Sequence, residues 1–137
     1  MIQKIGKNMT TFNSPEITVN KKAQEFFNLI SNLKNMKSLL PEEVQDFQCT
    51  ENTCTFRISG YPKLELEIIE RIKYSSISFK ANKSIIPFTM KCFITPIQEK
   101  CNAKLEIYAK LNTFTKMMVE KPLNQLLVIL ASKMQTI

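Results

Sequence analysis

Apolar residues recur at steps of three and four early in the chain and at steps of two over most of its middle. The first spacing puts Ala23, Phe26, Phe27 and Ile30 on one face of a helix that Asn20 can cap and that ends near Asn32. A short helical turn around Met36, Leu39 and Leu40 follows, stopped by Pro41, because proline restricts the residue before it and has no N–H to continue the turn. Ahead of these, Thr10 to Val19 reads as a first strand, with Pro15 implying a sheet edge or a bulge.

From Val44 to Leu111 the period falls to two, as expected of strands with one dry face. Phe47 and Cys49; Cys54, Phe56 and Ile58; Leu64, Leu66 and Ile68; Ile77, Phe79 and Ala81; Phe88, Met90, Cys92 and Ile94; and Ala103 through Leu111 form six such runs. The links between them are short and rich in turn residues, so neighbouring strands run antiparallel. Apolar-on-apolar pairing suggests a register: Cys49 opposite Cys54, Phe47 opposite Phe56, Ile58 opposite Leu64 and Arg57 opposite Glu65. In the later strands it sets Phe79 opposite Phe88, Ile77 opposite Met90, Cys92 opposite Leu105, and Met90 opposite Ile107. Such a meander has a single apolar face and needs a cover. The cover is a final helix, capped by Asn112 or Thr113 and running to about Gln135, with a kink expected near Lys121 from Pro122. Its stripe is Val119, Leu123, Leu126, Leu127, Leu130 and Met134, while Val128 and Ile129 interrupt the polar side.

With 137 residues, 44% of them apolar, the chain is expected to form one domain over 1–137, of which 1–9 is an amino-terminal extension. Histidine is absent, which removes the commonest general base and metal ligand. Gly6 and Gly60 are the only glycines, so neither GxxxxGK[ST] nor GxGxxG is present. The four cysteines show no CxxC spacing, and no metal or cofactor is expected. The charge of +7 is regional: residues 1–40 carry +4, 41–70 carry −5 and 71–137 carry +8. Lysine supplies nearly all of it, Arg57 and Arg71 being the only arginines, so sequence-specific nucleic-acid reading is not expected. The longest apolar run, Leu126 to Ala131, is too short to span a bilayer, and no secretory leader precedes Thr10. A reducing, cytoplasmic location and free thiols follow as expectations.

One strand, a helix with a second short helical turn, a six-strand meander and a long terminal helix make up the element order of the helix-grip fold. On the segments AQEFFNLISNLKN with KSLLPEEV, and LNTFTKMMVEKPLNQLLVILASKM, the chain resembles the SRPBCC (START-like) superfamily, and in particular its small single-domain bacterial members. The resemblance implies an α+β architecture: a seven-stranded curved antiparallel sheet wrapped around the terminal helix, with two short helices between the first and second strands. It also implies a cavity for a lipid or other hydrophobic small molecule, bound without catalysis. A polyketide-cyclase or dehydratase type of enzyme, and an interaction module with a filled core, are the alternatives.

The residues expected to line the space are Met36, Leu40, Phe56, Leu66, Phe79, Phe88, Met90, Cys92, Leu105, Ile107, Met117, Met118, Leu123 and Leu127. The methionines serve equally as gap-fillers in a closed core. Strict alternation also turns Glu70 inward, to fix a polar end of a ligand, whereas a bulge at Ile68 and Ile69 would send it to solvent. Catalysis would fall to Glu70 and the tyrosines Tyr61, Tyr74 and Tyr108. Cys49 and Cys54 form either a cross-strand disulfide or, as expected, two small buried hydrophobes. Lys80, Lys91, Lys104 and Lys110 fall on the outer sheet face, as a solvated surface or a peripheral contact with an anionic membrane.

Overall fold

A computed structural model describes residues 9–40, 44–58, 60–84 and 86–137, so Pro41 and the first eight residues of the extension lie outside it. The elements are β1 (Met9–Asn13), β2 (Ile17–Val19), α1 (Ala23–Ile30), a 3-10 helix (Leu33–Leu39), β3 (Val44–Cys49), β4 (Thr53–Ile58), β5 (Leu64–Ile72), β6 (Ser76–Lys83), β7 (Phe88–Ile97), β8 (Lys100–Lys110) and α2 (Thr113–Thr136). All strands are antiparallel in one curved sheet of order β1-β8-β7-β6-β5-β4-β3, with β2 also on β8. The α+β helix-grip architecture is therefore present, with α2 covering the apolar face.

The strand expected over Thr10–Val19 is two strands laid end to end along β8. Pro15 cannot donate to the ladder, and the chain bulges around it. Ser14 bridges the gap: its N–H donates to the Leu105 carbonyl at 2.9 Å, and its Oγ accepts the Leu105 N–H at 2.9 Å. Helix α1 starts at Ala23 rather than after Asn20, because the Glu25 carboxylate accepts the Lys22 backbone N–H at 3.1 Å and closes the first turn. Asn32 instead caps the 3-10 helix, accepting the Lys34 N–H at 3.0 Å.

Two hairpin registers differ from the pairing read off the sequence, each by two residues. Phe56 faces Leu64 and Thr55 faces Glu65, so Arg57 pairs not with Glu65 but with Asp46, at 2.9 Å. Phe79 faces Met90 and Ala81 faces Phe88. A slip of two keeps every side chain on its own face, so alternation alone cannot detect it. The β4–β5 turn is longer than expected, and Gly60 within it adopts φ 89°, a left-handed conformation that favours glycine. Cys49 opposite Cys54, Cys92 opposite Leu105 and Met90 opposite Ile107 are as read. Phe47 lies in a bulge, its ring centroid 6.4 Å from that of Phe56.

In β5, Ile68 faces Phe79 but Glu70 faces Ser78, so the bulge reading of this strand is correct. The strand here is tied to its surroundings. Ile68 N–H donates to the Asn52 carbonyl at 2.8 Å, and the Arg71 guanidinium donates to the Ser31 carbonyl and the Asn52 side chain, each at 2.7 Å.

Helix α2 is capped by Asn112, whose Oδ1 accepts the Thr115 N–H at 2.9 Å, and it continues through Pro122. Val119, Leu123, Leu126, Leu127, Leu130 and Met134 are all buried against the sheet, joined by Ala131. Among the described residues no helix is long and apolar enough to cross a membrane.

Candidate functional site

Strand direction divides the molecule into two ends. One end gathers the β4–β5 turn, the β6–β7 link, the end of β8 with its partner Met9, and the first turns of α2. The other gathers the β3–β4, β5–β6 and β7–β8 turns and the end of α2.

At the first end a depression opens between sheet and helix. Ile58, Tyr61, Pro62 and Leu64 line it from β4, β5 and their turn, Ser84, Ile86 and Phe88 from the β6–β7 side, and Val119, Pro122, Leu123 and Leu126 from α2. About 40 Å³ of it admits the centre of a water-sized sphere, and counting the space open to solvent it measures about 480 Å³. Its polar side chains are Tyr61 and Ser84. A second space of about 30 Å³ lies further along α2, towards the other end, walled by Ile30, Met36, Phe79, Met90, Cys92, Leu105, Leu130 and Met134. Leu126 lines the first and Leu130 the second, one helical turn apart.

The expected lining divides between these spaces and the packing around them. Met36, Phe79, Met90, Cys92 and Leu105 wall the second, and Phe88 and Leu123 the first. Leu40, Phe56, Leu66, Ile107 and Leu127 are buried and line neither; they fill the core. Three residues expected inside are outside. Glu70 is exposed, since the bulge at Ile68–Glu70 turns it out. Met117 and Met118 are 76% and 44% exposed, because they precede the point, Val119, at which α2 meets the sheet. Tyr61, expected only as a candidate proton donor, stands at the mouth, and sequence reasoning missed Pro62, Ile86 and Pro122 there: they sit on loops or on a helix break, where no period marks a face.

Cys49 and Cys54, expected as free thiols, are joined as a disulfide. They are directly opposed on neighbouring strands with Cα atoms 4.1 Å apart, the close spacing of a pair that does not exchange ladder hydrogen bonds. Cys92 and Cys101 are free and buried. Burial, and to a lesser degree the neighbouring Cys101, pushes the Cys92 thiol up to about 12, so it is inert as a nucleophile near neutral pH. Tyr108 is held well above the usual phenol range by burial and by donating to the Glu106 carboxylate. That carboxylate also pairs with Lys104 at 3.3 Å, and Lys91 lies 5.2 Å above the Phe93 ring. Two of the four outer-face lysines are thus engaged within the sheet surface. Among the described residues no cluster of cysteine and carboxylate side chains suited to a metal is found.

Known structures share this architecture across almost the whole chain. Truncated norcoclaurine synthase from Thalictrum flavum superposes with a TM-score of 0.75 at 13% identity, covering 98% of this chain and 96% of its own. The Aha1 dimer from Colwellia psychrerythraea gives 0.68 at 9% identity over 92% and 93%. A START superfamily protein from Mycobacterium smegmatis gives 0.64 at 10% identity over 93% and 97%. The chain has the START-like, SRPBCC fold of these proteins. No family model matches the sequence, and no curated protein does.

Proposed function

We propose that this protein binds a hydrophobic small molecule, without transforming it, in the depression between the β4–β5 turn, the β6–β7 link and α2. The supporting observation is the lining: nine of eleven side chains there are apolar, and no carboxylate, lysine or thiol joins them. The deeper core is closed by side chains such as Leu66, Ile107 and Leu127, so the mouth seats a ring system or a single short chain. Larger guests require α2 to move away from the sheet.

A cyclase- or dehydratase-like reaction needs titratable groups converging on the substrate. Among the described residues lining this mouth Tyr61 is the sole titratable side chain, which favours binding over catalysis. The interaction-module reading keeps one exposed contact, Val128, while Ile129 packs on the core.

Native mass spectrometry of protein purified from its own host, with displacement of a naphthalene-type fluorescent probe, tests the proposal. One apolar molecule per chain is expected, with probe affinity at least tenfold weaker in Ile86→Trp, which fills the mouth from a half-buried position. Undiminished probe binding by that variant would remove the mouth as the site.

A further inference from the structure

The first three turns of α2 carry apolar side chains on two opposite faces. Val119 and Leu123 face the sheet, while Phe114, Met117 and Met118 form a stripe at i, i+3 and i+4 on the opposite side, with Phe114 72% exposed. Lys121 continues this stripe, Lys110 lies just ahead of the helix, and Lys116 is on the far side of the helix from it, all three exposed. Lys63 is exposed in the turn across the mouth. None of these four lysines has a carboxylate within salt-bridge distance among the described residues. Among the described residues the acids at this end are Glu120, exposed, Asp46, exposed and paired with Arg57, and Glu65, half-buried. At the opposite end Glu51, Glu70 and Glu99 are exposed beside Arg71, Lys73 and Lys100, so that end carries charges of both signs.

We propose that this end of the molecule docks on an anionic phospholipid bilayer. Phe114, Met117 and Met118 insert at the level of the headgroups, and Lys63, Lys110 and Lys121 contact the lipid phosphates. Exposed apolar side chains ringed by unpaired cations match an interface that is oily within and negatively charged at its surface. The geometry gives the contact a use, since the mouth opens beside the same helix turns and a guest could pass to or from the bilayer without crossing bulk water. Docking itself does not depend on the mouth being a binding site. The expected surface also shifts from the outer sheet face, where Lys91 and Lys104 are engaged, to the α2 end.

Vesicle co-sedimentation tests the proposal, using the full chain with phosphatidylcholine vesicles and with vesicles containing about one third phosphatidylserine. Binding is expected only to the anionic vesicles and should weaken as salt is raised. Lys110→Glu with Lys121→Glu should weaken it at least 25-fold, since each surface lysine contributes a factor of about five. Phe114→Ser with Met117→Ser should lower binding about tenfold with the thermal midpoint unchanged, both side chains being in solvent. Probe binding in solution should survive all four substitutions, whereas Ile86→Trp should lose the probe and keep the vesicles, so the two proposals fail separately. Equal binding to neutral vesicles, no binding to either, or a self-association that Phe114→Ser with Met117→Ser abolishes would overturn the docking proposal.

Discussion

Leu127 is the side chain whose removal reports most directly on how the interior is built. It is 1% exposed and lies on α2 between Leu126, at the wall of the first space, and Leu130, at the wall of the second. Leu127→Ala deletes three buried carbons, worth about 2.4 kcal/mol at roughly 0.8 kcal/mol per methylene. The void left behind adds to this, giving a destabilisation of about 3–4 kcal/mol. A domain of this size has about 5–15 kcal/mol in hand, so the variant should stay folded, with a thermal midpoint lower by roughly 10–15 °C. The two existing spaces, about 40 and 30 Å³, should become continuous through the vacated volume, and the enlarged apolar space should accept benzene or xenon. Urea unfolding followed by circular dichroism measures the first effect, and the benzene-induced rise in midpoint measures the second. A loss below about 1 kcal/mol would refute the closed interior described above. A full loss with no benzene response would refute the joining of the two spaces.

Three further predictions concern the frame of the site. Ser14→Ala leaves the Leu105 N–H without its acceptor at the β1–β2 bulge and should cost about 1–3 kcal/mol in urea unfolding, with faster hydrogen exchange at Leu105. Reducing Cys49–Cys54 with a phosphine opens a short loop and should lower stability by about 2 kcal/mol, an effect absent in a Cys49→Ser, Cys54→Ser variant. Cys92 has a folded-state pKa raised to about 12 from 9.0, so its stabilisation is complete below pH 9 and is lost as the pH climbs towards 12. Tyr108 acts with the same sign, so Cys92→Ala should flatten the fall in stability above pH 9 by up to about 1.4 kcal/mol per pH unit without abolishing it.

Much of the frame is legible in the residues. The change of period from 3.6 to two separates the helices from the meander, and the buried stripe of α2 is the one its spacing marks. The Ile68–Ile69 pair, two apolar residues in succession where alternation should continue, is a visible sign of the bulge that turns Glu70 out. Period is blind to translation along a strand by two, and for that reason the β4–β5 and β6–β7 registers required the tertiary structure. Period is equally blind to where a helix first touches the sheet. Met117 and Met118 read as lining because they precede the stripe in sequence, yet contact begins only at Val119.

The candidate site was the less legible part. Tyr61, Pro62, Ile86 and Pro122 converge on the mouth from a turn, a link and a helix interior, and no local pattern brings such positions together. Whether apolar residues enclose a space or fill it depends on how closely α2 sits over the sheet. That distance is set by the joint packing of side chains such as Phe56, Leu66, Ile107 and Leu127, far apart along the chain. Local chemistry by itself determined which residues are dry, which turns break the strands and what covers the sheet, because hydrophobic periodicity acts over a few residues. Only the tertiary structure decided the register, the pairing of Cys49 with Cys54, the shape of the mouth and the exposure of the α2 end, because each is a relation between segments that meet only when the whole domain has folded.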